Sequence, residues 1–277
     1  MDRRWRSRAS APHTGRWSLL LAALLPLVAC RGPAPTADRL IEDLPLLEFP
    51  ADSGQTLAVF LSGDGGWAEL PREVARGLVG AGVAVVGFDS RRYLEEPRDA
   101  GRVAADVARA AEAYATAWNR DRVLLVGFSR GANLAAFAAS DVPPGLRPRL
   151  AGVVLLAPGT HEKFRFRLLD LARQSADTAG APVAPHIREI PGTVGVPVAC
   201  VSGLREAAPV CAGLEGVPGI GVRLPDAGHH LGRDYPALVS DVLTVAAGDS
   251  AGQKAPGAAT DQGGDGPDDA GEGQASR

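Results

Sequence analysis

Ser129 is a candidate nucleophile because of its position in the sequence. It is the centre of the pentapeptide Gly-Phe-Ser-Arg-Gly at residues 127–131, directly after the apolar run 123–126 and before the small, apolar helical pattern 132–139. A sharp turn between a buried strand and a helix holds a serine out at the carboxyl edge of a sheet, and the flanking glycines avoid collisions with neighbouring backbone. In a chain with 34 glycines, a Gly-x-Ser-x-Gly match can arise by chance. The hypothesis that Ser129 is a nucleophile therefore depends on the position of the pentapeptide between a strand and a helix. A glycine-rich turn with a capping serine is the alternative.

A serine hydroxyl is a weak nucleophile until a base removes its proton. Two adjacent histidines, His229 and His230, follow the last predicted strand in the segment Asp-Ala-Gly-His-His. We predict that His229, which directly follows Gly228, is the base, with His230 as the alternative. No metal site is predicted here, because metal-binding histidines on a helix are typically spaced further apart and no carboxylate-rich cluster accompanies the pair.

The acid that orients the histidine should lie just past the predicted strand 196–201. Glu206 is the nearest candidate, in the segment Gly-Leu-Arg-Glu. It would accept the imidazole N–H, fix the tautomer and stabilise the imidazolium. Asp226 is the alternative, although it lies too close in sequence to His229 for the usual geometry. The resulting chain order of serine, acid and histidine is typical of α/β-hydrolases.

A serine that attacks a carbonyl carbon also needs backbone donors for the developing oxyanion. We expect one donor to be the N–H of Arg130, directly after the serine. The second is predicted to be the N–H of Asp64, with Gly65 as the alternative. Both lie in a glycine-rich loop at residues 62–67, after the predicted strand 57–61. Its glycines allow the backbone to approach a bound molecule closely.

Short apolar runs alternate with helical patterns between residues 46 and 247, which predicts one domain. Strands are predicted at residues 46–49, 57–61, 83–88, 123–126, 153–156, 196–201 and 220–224, the first of them at an edge. Helices are predicted at residues 69–79, 98–118, 132–139 and 235–246. Runs that are apolar on both faces suit a mostly parallel central sheet with helices on both faces. The fold class is therefore α/β, but such folds host many functions and the site must decide between them.

The N-terminus, residues 1–29, carries a predicted lipoprotein signal peptide. Arginines precede a short apolar run at residues 17–28, and a membrane span would need about 20 apolar residues. The run ends in Leu-Val-Ala-Cys, which is similar to the bacterial lipobox. We therefore expect a lipid on Cys30, which would attach the protein to a membrane, with ordinary signal cleavage as the alternative. Residues 30–45 would form a tether in the periplasm, and Arg31 favours the outer membrane over the inner one.

In an oxidising compartment such as the periplasm, pairs of cysteines tend to form disulfides. Besides Cys30 the chain has Cys200 and Cys211, which predicts one disulfide, with two separate buried thiols as the alternative. Such a bridge would brace the loop that carries Glu206.

Residues 248–277 are rich in Gly, Ala and Asp without hydrophobic periodicity, and we interpret them as a disordered acidic tail. The net charge of −3 argues against direct binding of nucleic acid. No cofactor is predicted from the sequence.

Several segments together resemble the bacterial virulence protein family of VirJ and AcvB. They are Ser-Gly-Asp-Gly-Gly-Trp at residues 62–67, Gly-Phe-Asp-Ser-Arg-Arg-Tyr at 87–93, the serine segment at 127–133, Gly-His-His at 228–230, Asp-Tyr at 234–235 and the two later cysteines. The resemblance covers about residues 57–243, and the first segment is its most specific element. The family has an aromatic residue and an aspartate where this chain has Arg130 and Asn133.

The resemblance implies a periplasmic α/β-hydrolase. For AcvB-like members it implies hydrolysis of the aminoacyl ester of lysyl-phosphatidylglycerol, and for VirJ-like members a link to type IV secretion proteins. A lipid-ester substrate would suit Arg91, Arg92 and Arg130, because guanidinium groups bind phosphate bidentately. Trp67 is a further substrate-binding candidate, and the basic and aromatic residues 163–167 are expected in a lid. A general carboxylesterase, or a non-catalytic secretion accessory on a hydrolase scaffold, is the alternative.

Overall fold

The computed structural model describes residues 41–167 and 180–248. The expected signal peptide, Cys30 and the expected acidic tail after residue 248 lie outside the described residues. Within those two described ranges, none of the helices has the length and apolar character that crossing a membrane requires.

Nine strands occur in the described part of the chain. They are β1 (Leu46–Phe49), β2 (Thr56–Leu61), β3 (Ala84–Phe88), β4 (Arg122–Phe128), β5 (Leu150–Leu156), β6 (His161–Glu162), β7 (Ala181–Pro182), β8 (Val198–Val201) and β9 (Ile220–Arg223). Seven of them form one sheet in the order β1-β3-β2-β4-β5-β8-β9. In this sheet β1 pairs antiparallel with β3, and the other pairings are parallel. The short strands β6 and β7 pair separately and antiparallel.

Helices cover both faces of the sheet. They are α1 (Glu69–Gly80), α2 (Ser90–Tyr93), α3 (Ala100–Ala117), α4 (Arg130–Ser140), α5 (Val183–Thr193) and α6 (Tyr235–Ala247). Buried side chains of α3, α4 and α5 belong to one apolar cluster, and those of α1 and α6 to another. The sheet separates the two clusters.

The sequence of strand β2 is apolar on both faces because both faces are buried. Leu57, Val59 and Leu61 belong to the cluster with α3, α4 and α5. Ala58 and Phe60 belong to the cluster with α1 and α6. Because successive side chains of a strand point to opposite faces, a strand between two helical layers must be apolar at every position. This burial fixes the carboxyl ends of the central strands, where the loops of the site begin.

The predicted fold class is confirmed: a mostly parallel sheet lies between two layers of helices. All seven predicted strands are present, with bounds shifted by a few residues. The predicted helix at 132–139 begins earlier, at Arg130, because the turn at the serine leads directly into α4.

The sequence analysis did not predict two helices, α2 and α5, or the two short strands β6 and β7. Helix α5 contains Pro191, a residue that normally disfavours a helix interior. Helix α2 has four residues, and β6 and β7 have two each, so they are too short to show a period.

Candidate active site

Ser129 occupies a strained turn between β4 and α4. Its φ of 56° and ψ of −124° lie in a region that residues with a side chain rarely adopt. Its N–H donates to the carbonyl of Leu156 on β5 at 2.8 Å. A methyl group at Gly131 would lie 2.1 Å from the Leu61 carbonyl oxygen, and one at Gly127 would lie 2.3 Å from that of Gly131. The glycines are therefore required by close backbone packing, which holds the serine at the carboxyl edge of the sheet.

Ser129 lies at one end of a chain of two hydrogen bonds. Its Oγ is 2.8 Å from Nε2 of His229, and Nδ1 of His229 is 2.8 Å from Oε2 of Glu206. An ionised carboxylate only accepts, so Nδ1 carries the proton, which leaves Nε2 as the acceptor for the serine hydroxyl. The hydrogen bonds to Ser129 and Glu206 are made by His229, while the ring of His230 packs 5.9 Å from that of Phe128. The structure thus brings together Ser129, His229 and Glu206.

The acid and the histidine lie on two loops that are bonded to each other. Backbone N–H groups of Leu204 and Arg205 donate to the carbonyls of Pro225 and Ala227, at 3.0 and 2.9 Å. A methyl group at Gly203 would lie only 2.3 Å from the Ala227 carbonyl oxygen. Asp226, the alternative to Glu206 as the acid, is highly exposed and forms an ion pair with Arg205 at 3.2 Å. The loops therefore present Glu206, and not Asp226, to the histidine.

A disulfide closes the loop that carries the acid. Cys200 on β8 is bonded to Cys211, with a Cα–Cα distance of 5.4 Å, and both side chains are buried. Within the loop, Oε1 of Glu206 accepts from the N–H of Gly203 at 2.7 Å. Oγ of Ser202 accepts from the N–H of Cys211 at 3.3 Å. One carboxylate oxygen is thus fixed by its own loop, and the other is left for His229.

The glycine-rich loop at residues 62–67 lies against the serine. The N–H of Gly66 donates to the carbonyl of Gly63 at 2.9 Å, which makes Asp64 and Gly65 the central residues of a tight turn. A methyl group at Gly63 would be 3.0 Å from Cβ of Ser129. Arg130 is the first residue of α4, so its N–H has no acceptor within the helix. Both predicted backbone donors thus lie in segments next to the serine.

The structure corrects the expectation for Trp67. Its side chain is 7% exposed, stacks on Phe49 with ring centres 5.5 Å apart, and meets Phe60 edge-on at 5.6 Å. A methyl group at Gly87 would be 2.7 Å from the indole ring. The tryptophan is therefore a core residue that anchors the end of the 62–67 loop, because its apolar ring gains more from burial than from facing a substrate.

Arg91 and Arg92 lie on α2, directly after the carboxyl end of β3. The N-cap of this helix is Asp89, whose carboxylate accepts from the N–H of Arg92 at 3.2 Å. The guanidinium of Arg91 lies 5.2 Å from the ring centre of Phe166, and the side chain of Arg92 is exposed. Arg91 therefore borders the segment after β6, and both arginines lie at the sheet edge that also carries Ser129.

Comparison with known proteins agrees with this architecture. The family model of the bacterial virulence protein VirJ matches residues 55–248, which is well over half of the chain. The chain belongs to the VirJ family. Among curated proteins, none matches the sequence significantly.

Solved structures similar to this VirJ-family chain share its fold at low sequence identity. An esterase from Pyrococcus furiosus has 18% identity and a TM-score of 0.51 over 73% of this chain and 91% of that one. A proline iminopeptidase from Mycobacterium smegmatis has 13% identity and a TM-score of 0.51 over 74% and 94%. MenH from S. aureus has 11% identity and a TM-score of 0.52 over 72% and 97%. The fold is thus the α/β-hydrolase fold.

Arg130 and Asn133, both on α4, face Glu162. The guanidinium Nε of Arg130 is 3.7 Å from Oε1 of Glu162, and Nδ2 of Asn133 is 3.2 Å from Oε2. Nη1 of Arg130 also lies 3.0 Å from Oδ1 of Asp64 and donates to the Arg165 carbonyl at 3.1 Å. The side chain of Arg130 is 15% exposed and is directed to partners within the protein, whereas the sequence analysis expected it to meet a lipid phosphate.

Glu162 was not found by the sequence analysis, although its side chain is fully buried beside the serine helix. Burial raises its pKa above the ordinary value, and this effect is partly offset by the charge of Arg130 and by hydrogen bonds from Phe164, Asn133 and Lys163. A lone glutamate in a segment of basic and aromatic residues carries no pattern that distinguishes it from a solvated side chain. Its role becomes visible only when β6 is folded against α4.

We expect removal of the disulfide to destabilise the protein. Replacing both cysteines, Cys200→Ala with Cys211→Ala, should lower the free energy of unfolding by about 2–4 kcal/mol, because the bridge restricts the unfolded chain. Denaturant unfolding under non-reducing conditions measures this. The two single variants are the control, since each also lacks the bridge and should lose a similar amount. A double variant as stable as the wild type would contradict the prediction.

The raised pKa of Glu162 predicts a specific pH dependence of stability. Above the ordinary pKa of glutamate, about 4.3, the unfolded chain has lost a proton that folded Glu162 still holds. The folded state then binds more protons, so this group lowers the free energy of unfolding as the pH rises. Glu162→Gln should remove that contribution.

As the pH rises above the ordinary pKa of glutamate, the unfolding free energy of the wild type should therefore fall relative to that of Glu162→Gln. Urea unfolding at several pH values measures the two curves. Glu189→Gln, at an exposed position of α5, is the matched control and should run parallel to the wild type. Parallel curves for Glu162→Gln would show that the buried carboxyl does not titrate as expected.

Proposed function

We propose that this VirJ-family protein is a serine ester hydrolase with Ser129 as nucleophile, His229 as base and Glu206 as the orienting acid. The single observation that carries the proposal is the continuous hydrogen-bond chain from Glu206 through His229 to Ser129, with both links at 2.8 Å. The α/β-hydrolase fold and the strained turn at the serine support it, because this turn exposes a nucleophile at the sheet edge.

The proposed reaction has two halves. In the first, Nε2 of His229 takes the hydroxyl proton while Oγ of Ser129 attacks the ester carbonyl carbon. The backbone N–H groups of Arg130 and Asp64, or of Gly65, receive the oxyanion of the tetrahedral intermediate. As the bond to the leaving alcohol breaks, His229 gives the proton to that alcohol and leaves an acyl-serine.

In the second half, water replaces the alcohol. His229 takes a proton from the water, whose oxygen attacks the acyl carbon, and the proton then returns to Oγ as the acyl–serine bond breaks. Glu206 stays ionised and stabilises the imidazolium that forms in each half. The products are a carboxylic acid and the free alcohol, and no cofactor is consumed.

The proposed substrate is the aminoacyl ester of lysyl-phosphatidylglycerol or a related lipid ester. Support comes from membership of the VirJ family and from the position of Arg91 and Arg92, whose guanidinium groups suit a lipid phosphate. A lipid on Cys30 would hold the enzyme at the periplasmic face of a membrane, where such a substrate lies. A general carboxylesterase would share the same chemistry without the phosphate contact.

A non-catalytic accessory of type IV secretion is the second candidate function. The observation that favours it is the pair Arg130 and Asn133, which departs from the family segment on the helix that begins at the serine. Only the backbone of residue 130 is needed for the oxyanion, so these departures leave the catalytic proposal intact. The two candidates differ in whether Ser129 reacts.

Reaction of Ser129 with a fluorophosphonate probe tests the catalytic proposal. The wild type should be labelled covalently, and Ser129→Ala should show no labelling. Glu206→Gln should retain labelling at a rate lower by about 10³- to 10⁴-fold, because the wrong imidazole tautomer is then favoured. Asp226→Asn is the matched control and should label like the wild type, since Asp226 pairs with Arg205 at the surface. Absence of labelling in the wild type would favour the accessory function.

The substrate proposal is tested with purified protein and vesicles that contain lysyl-phosphatidylglycerol. The wild type should release lysine, and the paired change Arg91→Gln with Arg92→Gln should raise KM for the vesicles by about tenfold, as expected for the loss of a charge-assisted contact. KM for p-nitrophenyl butyrate, which has no phosphate, should be unchanged. Hydrolysis of the small ester without lysine release would leave a general carboxylesterase and exclude the narrower substrate.

A further inference from the structure

The side chain of Arg130 connects three segments around the serine. We propose that Arg130 is a positioning residue: through Asp64 it holds the 62–67 loop where the backbone donors of that loop receive the oxyanion. This inference rests on the proposed function, because it assigns a task within the same reaction. It concerns the guanidinium group, whereas the proposed mechanism uses only the N–H of this residue.

The contacts of the guanidinium define the connection. Nη1 lies 3.0 Å from Oδ1 of Asp64 in the loop after β2, and it donates to the carbonyl of Arg165, after β6, at 3.1 Å. Nε lies 3.7 Å from the carboxylate of Glu162 on β6. The side chains of Arg130 and Asp64 are 15% and 25% exposed, so solvent screens their ion pair less than it would a surface pair.

The 62–67 loop is bonded to the rest of the fold near both of its ends, and the ion pair with Arg130 acts on its centre. Three of its six residues are glycines, which lose more conformational freedom on ordering than other residues. Gly63 packs against Ser129 on one side, and Trp67 anchors the far end in the core. Asp64 carries the only carboxylate of the loop in the sequence, so an ion pair there acts directly on one of the two candidate oxyanion donors, Asp64 and its neighbour Gly65.

The other end of the connection is rigid. Oε1 of Glu162 accepts from the backbone N–H groups of Lys163 and Phe164, each at 2.9 Å. Oδ1 of Asn133 accepts from the N–H of Gly159 at 2.8 Å, while its Nδ2 donates to Glu162. These hydrogen bonds join the segment after β5 to α4, so Arg130 links the 62–67 loop to a well-connected part of the fold.

Arg130 and Asn133, both on α4, contact the same buried carboxylate. An aspartate at position 133 would place a second carboxylate beside buried Glu162, where the amide of Asn133 donates a hydrogen bond instead. A cation at position 130 adds a positive charge near the same carboxylate. The same guanidinium that faces Glu162 also reaches Asp64, at 3.0 Å.

Kinetics of Arg130→Met, Asp64→Asn and the double variant test the proposal on p-nitrophenyl butyrate. Each single variant should lower kcat by about 10- to 100-fold with little change in KM, because a displaced oxyanion donor affects the transition state more than substrate binding. The double variant should lose no more than either single variant. Arg130→Lys should recover part of kcat, and Arg76→Met, which removes an exposed ion pair with Glu73, is the matched control.

The outcomes separate the possible roles. The proposal would be overturned if the fold-loss in kcat of the double variant equalled the product of the two single-variant losses. A rise in KM without a fall in kcat for Arg130→Met would also overturn it. Hydrogen exchange provides a readout without turnover: amides of residues 62–67 should exchange faster in Arg130→Met than in Arg76→Met. Equal exchange would also overturn it. If the wild type fails to label with the fluorophosphonate, the proposed function fails, whereas the exchange result still decides whether Arg130 holds the loop.

Discussion

The left-handed backbone conformation at Ser129 is the constraint on which the rest of the site depends. It persists because three strands surround the turn: β4 leads into it, β5 accepts its N–H, and the end of β2 lies against Gly131. Strain of this kind survives only where the surrounding packing determines the backbone completely. The two apolar clusters on either side of the sheet provide that packing, so the position of one hydroxyl depends on the whole core.

Much of this arrangement could be predicted from the sequence, because it follows from local patterns. Strands that are buried on both faces appear as apolar runs, and the order of Ser129, Glu206 and His229 places each after a different strand. In a parallel sheet the carboxyl ends of the strands meet at one edge, so these residues had to converge. The choice of Glu206 over Asp226 also followed from spacing, and the loops place it beside the histidine at 2.8 Å.

The rest could not be predicted, because it depends on contacts between distant segments. Whether Arg130 faces solvent or protein is decided by Glu162 and Asp64, which lie far from it in sequence. Trp67 appeared as a binding residue because it ends a functional loop, but Phe49 and Phe60 form an apolar site for its ring. In both cases the residue type was compatible with two environments, and only the folded chain selected one.

The close packing of Gly203 on the Ala227 carbonyl has a consequence for how this scaffold can diverge. Acid and base rest on loops that share hydrogen bonds and leave no room for a side chain between them. A mutation that moves one loop moves the other, so selection for a new substrate acts against changes there.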